Sequence, residues 1–379
     1  MITYSFWPER PYKGLAHYSE RDDLLLAGRS RDIVDCNKKL LDGNTAILTL
    51  HGRTAAGKSS FLRAGLIPEL KKRSPKYEVV RESYPITSLL IRSTNDPLER
   101  LAVSIYRFVQ ELVKTRDQTQ EDGESAYKYG ELQEILREHP LEENFRGVLC
   151  ASPRIFYEQL ARVARAVYGK LILFVDQGEE IVTLRSSGRD DAVRNYFAFL
   201  HWFCEKPIDA KICVSLRSEY KALFDDELFG RGIDPFRVAS YHLAELDRTG
   251  MIEAIINPTK SEKRLAHESA LEHYGFTFQE GLPEEIAERV IDARPAGGVL
   301  PTLQVICDRL YQYTHKAHRA ADEVWSIRRE DFLALGPPQE QILSHVKESL
   351  YEALEGKRPQ TAASSIQDSQ SYQTRGLTF

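Results

Sequence analysis

The chain of 379 residues predicts the α/β class: a parallel sheet covered by helices on both faces, with a helical domain after it. Three observations predict this. Compact apolar runs occur at "TAILTL" (45–50), "LILFV" (171–175) and "AKICVSL" (210–216), and short runs of that kind read as strands buried on both faces. Amphipathic stretches lie between them, the alternation a parallel sheet requires. From about residue 241 the runs cease, and helical segments joined by Pro and Gly follow, as in "LDRTGMIEAIINP", "PEEIAERVIDAR" and "LPTLQVICDRLYQYTHKA".

Taken in order, residues 1–27 hold aromatics and prolines and read as an extended lead-in packed on the rest. Residues 32–41 predict a helix, stopped by Asp42-Gly43-Asn44. "TAILTLHG" (45–52) reads as a strand entering a glycine loop. After Lys58, the residues Phe61, Leu62, Gly65 and Leu66 share one helical face. Residues 86–109 predict a strand, a turn at Asn95-Asp96-Pro97 and a helix. Residues 114–148 are charged and polar and read as an insertion or mobile excursion with one helix. "ASPRIFYEQLARVARAVYGK" (151–170) predicts a helix capped by Ser152, with Pro153 in its first turn and Gly169 at its end. Phe156, Leu160, Val163 and Val167 form its apolar stripe. Another helix is expected over about 190–205. The domain layout is then a lead-in at 1–27, a sheet domain at 28–238 with the insertion at about 114–148, a helical domain at 239–320, further helices at 321–356, and a polar tail at 357–379 that reads as disordered.

Lys and Arg number 51 against 56 Asp and Glu, for a net charge of −5. No global basic surface marks a nucleic-acid binder, so direct nucleic-acid binding is not indicated. Five cysteines are scattered without a CxxC pair, which argues against zinc or a disulfide framework and fits a reducing cytoplasm. The opening "MITYSFWPER" lacks the basic start and apolar core of a secretory signal. No apolar run approaches the roughly 18 residues of a membrane helix. The expected location is the cytoplasm, with no membrane partner.

The loop "HGRTAAGKSS" (51–60) has phosphate-loop spacing: Gly52, four residues, then Gly57-Lys58-Ser59. Such a loop works because successive backbone N–H groups converge on an anion, and the following helix points its positive end at the phosphates. A glycine turn matches this spacing by chance often enough, but here an apolar strand precedes it and an amphipathic helix follows. Gly52, Arg53, Thr54, Ala55, Ala56, Gly57, Lys58, Ser59 and Ser60 are therefore the expected phosphate-binding residues. Lys58 would reach the β- and γ-phosphates, and the Ser59 hydroxyl would ligand Mg²⁺. In "LILFVDQGEE", Asp176 ends a strand where a carboxylate would hold the Mg²⁺ hydration shell, and Glu179 or Glu180 would orient the attacking water. In "VSLRSEY", Ser215 and Arg217 end another strand, and Arg217 is either a group that touches a γ-phosphate or an ordinary surface arginine after a strand. In "LAGRSRDI", Gly28 and Arg29 either lie along a nucleobase or form a plain capping turn. His345 is a phosphate sensor or an ordinary helix residue. Trp7, Trp202 and Trp325 read as packing residues, and Lys71-Lys72-Arg73 as a solvated face.

Together these residues resemble a known family. "RPYKGLAHYSERDDLLLAGRSRD", "GRTAAGKSSFLRAGLIPEL", "LILFVDQGEEI", "VSLRSEY", "HLAELDRTGMIEAIINP" and "GGVLPTLQ" occur in the order seen in the STAND class of signal-transduction ATPases, a branch of the AAA+-like P-loop ATPases. The likeness is to the bacterial branch whose second motif reads Asp-Gln-x-Glu-Glu. It implies a P-loop NTPase sheet sandwiched by helices, a helical domain and a winged helix, here partial, at 321–356. It implies that Gly28 and Arg29 sense adenine, that Gly52, Gly57, Lys58 and Ser59 bind phosphates and Mg²⁺, and that Asp176 ligands Mg²⁺. Glu179 and Glu180 become the hydrolytic acids, Arg217 the strand-end sensor, and Pro301 part of the helix touching nucleotide in the closed form. Ala27 and Gly178 stand where the family usually has aromatics. The winged helix looks unfinished, as in a truncated product or a compact member acting with a separate sensor or effector protein.

The expected function is an ATPase switch with ATP/ADP and Mg²⁺ as cofactors and slow turnover. ADP holds it closed, ATP opens it into a homo-oligomer, and the class implies signalling, including bacterial antiviral defence. The alternatives are a motor- or loader-type AAA+ ATPase remodelling protein or DNA, and a nucleotide-binding scaffold with little hydrolysis.

Overall fold

The computed structural model describes residues 8, 10–73, 77–79, 96–117, 124–167, 170–259, 274–295, 298–318 and 324–344. Its centre is a five-stranded sheet of β1 (Ile47–Gly52), β2 (Tyr77–Val79), β3 (Lys170–Val175), β4 (Ala210–Arg217) and β5 (Val238–His242). The strand order is β2-β3-β4-β1-β5, and every pair is parallel. Parallel strands need helical crossovers, which cover both faces. The period of two along each strand sorts the apolar residues between those faces. Ile47, Leu171, Leu173, Val175, Ile212 and Val214 go to one core, and Leu48, Leu50, Ile172, Phe174 and Cys213 to the other.

The second of these cores is closed by α1 (Ser30–Leu41) and α2, which runs as three contiguous segments: Lys58–Ser60, a π-helical stretch Phe61–Leu66, and Ile67–Arg73. The first is closed by α3 (Pro97–Asp117), α4 (Glu124–Glu138), α5 (Glu142–Leu149), α6 (Pro153–Ala166) and, after the short α7 (Glu179–Thr183), α8 (Asp190–Glu205). The expected cap of α6 is present: Ser152 Oγ accepts from Ile155 N at 3.1 Å, with Pro153 at the first position. Its stripe packs on α8, with the Phe156 and Phe199 rings 4.7 Å apart edge to face.

Two expectations change here. The charged stretch 114–148, read as an excursion with one helix, holds the end of α3 and all of α4 and α5. Leu132, Ile135, Phe145 and Leu149 are fully buried in the core. The charges that disguised α4 have a use: Glu131, Glu134 and Glu138 all face Arg162 of α6, with Glu138 Oε2 at 2.5 Å. The sheet also extends past residue 238 through β5. Its sequence, "VASYH", carries little apolar signal, as fits an edge strand that is half-exposed along its length.

After α9 (Lys221–Phe229) and β5, the chain enters its helical part: α10 (Arg248–Ile256), the strand β6 (Phe276–Phe278), α11 (Leu282–Ala293) and α12 (Val299–His318). Then β7 (Trp325–Ile327) pairs parallel with β6, and α13 (Arg329–Ala334) follows. The core of this part contains Met251, Ile255, Ile286, Leu303 and Leu310, together with Tyr12, Tyr18 and Leu25 of the lead-in. The lead-in thus joins the helical part to the sheet. The expected strand and turn at 86–95, His345, Trp7, the tail at 357–379 and 345–356 of the partial winged helix lie outside the described residues. No described helix is long and apolar enough to cross a membrane, and all five cysteines are free thiols.

Candidate functional site

The register of the sheet assembles the site. β1 and β4 pair so that Gly52 lies opposite Arg217, and β3 and β4 pair so that Val175 lies opposite Val214. The next residues, Asp176 and Ser215, are therefore neighbours at the same carboxyl edge as the glycine loop. Ligands of open parallel sheets bind at this edge.

Gly52 must be glycine: a Cβ there would stand 2.5 Å from the Leu243 carbonyl oxygen. The loop turns through left-handed conformations at Ala55 (φ 67°) and Gly57 (φ 85°). For Ala55 this costs roughly 1–2 kcal/mol, and such strain persists where the surroundings over-determine it. The Lys58 ammonium donates to the Gly52 and Arg53 carbonyls, each at 2.9 Å, from inside the curve of the loop. Burial lowers its pKa from the ordinary lysine value, with Glu179 and Asp176 opposing that shift.

Asp176 is buried. Its Oδ1 accepts from Ser215 Oγ and from the Gln177 N–H, each at 3.0 Å. The chain then turns sharply, with Gln177 at φ 58°, and Gly178 N donates to Ser215 O at 2.6 Å. A Cβ on Gly178 would lie 2.4 Å from Val214 Cγ1. A side chain at this position would require Val214 of β4 to shift. The turn starts α7 at Glu179, which is buried and meets Arg217 twice: Arg217 Nε is 3.0 Å from Oε1, and Arg217 N donates to Oε2 at 3.3 Å. Glu180 lines the same cavity.

That cavity encloses about 510 Å³, the size of a small-molecule site. Thr54, Ala55, Gly57, Lys58, Ser59 and Ser60 form one side of it. Asp176, Glu179, Glu180 and Arg217 form the edge beyond the loop, and Arg29 and Pro301 reach it from elsewhere. Gly28, Gly52, Arg53 and Ala56 are not in its lining and shape it from behind. Arg29 is buried and donates to Ala56 O at 3.0 Å and to Asp32 Oδ2 at 2.9 Å. Tyr241 of β5 donates to the other Asp32 oxygen at 2.7 Å. Arg29 therefore braces the loop from the sheet. Gly28 (φ 73°) meets the start of α10, where a Cβ would fall 2.5 Å from Gly250 O.

Several lining residues were not found by sequence reasoning. Gly14, Ala16, His17 and Tyr18 of the lead-in, with Leu25 and Leu26, form one flank. Leu246, Ala254, Leu300 and Gln304 form another. Tyr18 N donates to Ser60 Oγ at 3.0 Å and Tyr18 OH to Gln304 Oε1 at 2.9 Å, so one residue ties the loop helix to α12. Gly298 (φ 94°) was missed as well. A Cβ there would lie 2.6 Å from Ala55 Cβ, and a Cβ on Gly57 would lie 2.9 Å from Leu300 Cδ2. The one signal available was the glycine pair of "GGVLP" beside Pro301.

The oxygen donors Ser59 and Asp176 fit a hard cation such as Mg²⁺, which keeps waters and substrate phosphates and takes only one or two protein ligands. Among the described residues no group of three or more His, Cys, Asp or Glu forms a cage that would hold a metal by itself. In comparisons with known proteins, the family model for Novel STAND NTPase 1 matches residues 11–367. The search of curated proteins gives no match.

Proposed function

The chain belongs to the Novel STAND NTPase 1 family, and from that premise we propose that it is an ATP-binding and ATP-hydrolysing switch. The observation that carries this is a single cavity walled by the phosphate loop on one side and by Leu300, Pro301 and Gln304 of α12 on the other. A ligand shifts a conformational equilibrium only by contacting the two states differently. A nucleotide seated here contacts both parts of the chain at once, so ADP holds them together. An added γ-phosphate presses on the Lys58, Arg217 and α12 side and favours separation and self-association.

The residues divide the work as follows. The loop N–H groups and the start of α2 bind phosphates. Ser59 and Asp176 hold the Mg²⁺ shell, and the cation neutralises charge on the phosphates. Glu180, which lines the cavity at the start of α7, orients the attacking water; both oxygens of Glu179 meet Arg217. Glu179 instead fixes the Arg217 guanidinium until a γ-phosphate competes for it.

The test is to identify the nucleotide that co-purifies and to weigh the protein in solution with ADP and with a non-hydrolysable ATP analogue. Retained ADP, a monomer with ADP and a larger species with the analogue are expected. A monomer under both conditions with no retained nucleotide would overturn the reading.

A further inference from the structure

The phosphate-loop helix carries a buried arginine that the reaction described above does not use. Arg63 lies in the π-helical stretch Phe61–Leu66, four residues past Ser59, and is 6% exposed. Such widened turns recur at functional sites because they re-aim side chains. Its guanidinium points two ways: Nη2 lies 4.0 Å from Asp176 Oδ2, and Nη1 lies 2.5 Å from His17 Nε2.

The chemistry fixes the roles. Arginine is always protonated and only donates, so His17 Nε2 is the acceptor and the imidazole proton sits on Nδ1. Asp176 Oδ1 is already taken by Ser215 and Gln177, which leaves Oδ2 as the oxygen that Arg63 faces. A buried carboxylate without a counter-charge is costly, and Arg63 supplies that charge on the Oδ2 side. His17 belongs to the lead-in and precedes Tyr18, which bonds both Ser60 and Gln304.

We propose that Arg63 is a positioning residue for the Mg²⁺-facing carboxylate of Asp176, held in place by His17, so that the lead-in is coupled to cation binding. The inference rests on reading the site as one for Mg²⁺-nucleotide. Asp176 would hold the cation's shell, with Arg63 bridging that carboxylate to His17 of the lead-in.

The test uses the full chain and a fluorescent ADP analogue, titrated in EDTA and in MgCl₂. The readout is the factor by which Mg²⁺ tightens binding. Outer-shell partners of metal ligands typically change metal affinity about 10–100-fold, so Arg63→Met is expected to lose about tenfold or more of that factor while retaining its affinity in EDTA. Arg63→Lys restores part of it. Because Arg63→Met removes a buried charge and could unfold the protein, a second pair stands beside it: His17→Gln keeps an acceptor and retains the Mg²⁺ factor, whereas His17→Leu loses that factor. Hydrogen exchange gives the readout a merely structural role would not move. Mg²⁺ added to the ADP form slows exchange over residues 10–27 in the parent and in His17→Gln, but not in His17→Leu. An unchanged Mg²⁺ factor and unchanged protection in His17→Leu would overturn the assignment while leaving the nucleotide site intact. A parent that binds no ADP with or without Mg²⁺ would overturn both.

Discussion

The two ends of the cavity are built by different means. The phosphate end stands on strand termini: Gly52, Asp176, Ser215 and Arg217 are neighbours because the parallel register makes them so. The other end is made of the lead-in, Leu246, Ala254 and the start of α12. These pieces meet through a shared apolar core and through contacts between residues far apart in the chain, such as Tyr18 with Gln304 and Tyr12 OH with Ile255 O at 2.5 Å. The first end is rigid by construction and sets the chemistry. The second is assembled from separate parts of the chain packed in one apolar core, and on the proposed reading it is the end that a change of ligand moves.

The largest effects are expected at the rigid end. Glu180→Gln should lower phosphate release by about 10²-fold or more, in the range for loss of general acid–base help. Glu179→Gln should instead weaken the distinction between ADP and ATP, seen as a smaller difference in their affinities. Equal losses of turnover in the two variants would break the division of labour between them. Gly28→Val tests the joint between the ends. Its Cβ would meet Gly250 O at 2.5 Å in a left-handed backbone, and the combined strain and clash should cost about 3 kcal/mol, read as a fall in Tm.

Smaller changes sharpen the comparison. Tyr18→Phe removes the hydrogen bond to Gln304 and keeps the ring in place. About 1 kcal/mol of stability should be lost, together with some of the stabilisation that ADP confers in a melting experiment. An unchanged ADP-induced Tm shift would separate Tyr18 from the switch. A separate effect belongs to the amino end of β4, away from the cavity, where Lys211 donates to the Asp42 and Thr45 carbonyls at 2.6 and 2.5 Å. Burial pushes its pKa down to about 8 from 10.5. Between those values the unfolded chain keeps a proton that the folded one has released, so this residue makes stability rise with pH through that window. Below about pH 8 its cost is fully present. Lys211→Met should abolish the rise, and denaturant melts at pH 8 and 10 measure it.

The same contrast decides what was legible in the sequence. The strands β1, β3 and β4, the loop and the two acidic or basic strand ends could be read because each is a local pattern with a local cause. Ser152 and Pro153 announced α6 for the same reason. α4 was hidden because its buried residues, Leu132 and Ile135, sit among charges whose partner, Arg162, lies on another helix. β5 was hidden because an edge strand needs few apolar residues. The lead-in flank and Gly298 were hidden because their roles depend on which distant backbone approaches them. Arg29 carries a role its motif does not announce: its guanidinium donates to the Ala56 carbonyl and is anchored through Asp32 and Tyr241.

The central claim is that nucleotide holds the two ends together or lets them part. Probes attached at the exposed positions Glu205 on α8 and Glu288 on α11, after cysteine substitution and with the native, largely buried thiols left in place, would report their separation by electron spin resonance. The account predicts one narrow distance distribution with ADP and a longer one with a non-hydrolysable ATP analogue. The same narrow distribution with both nucleotides would contradict it.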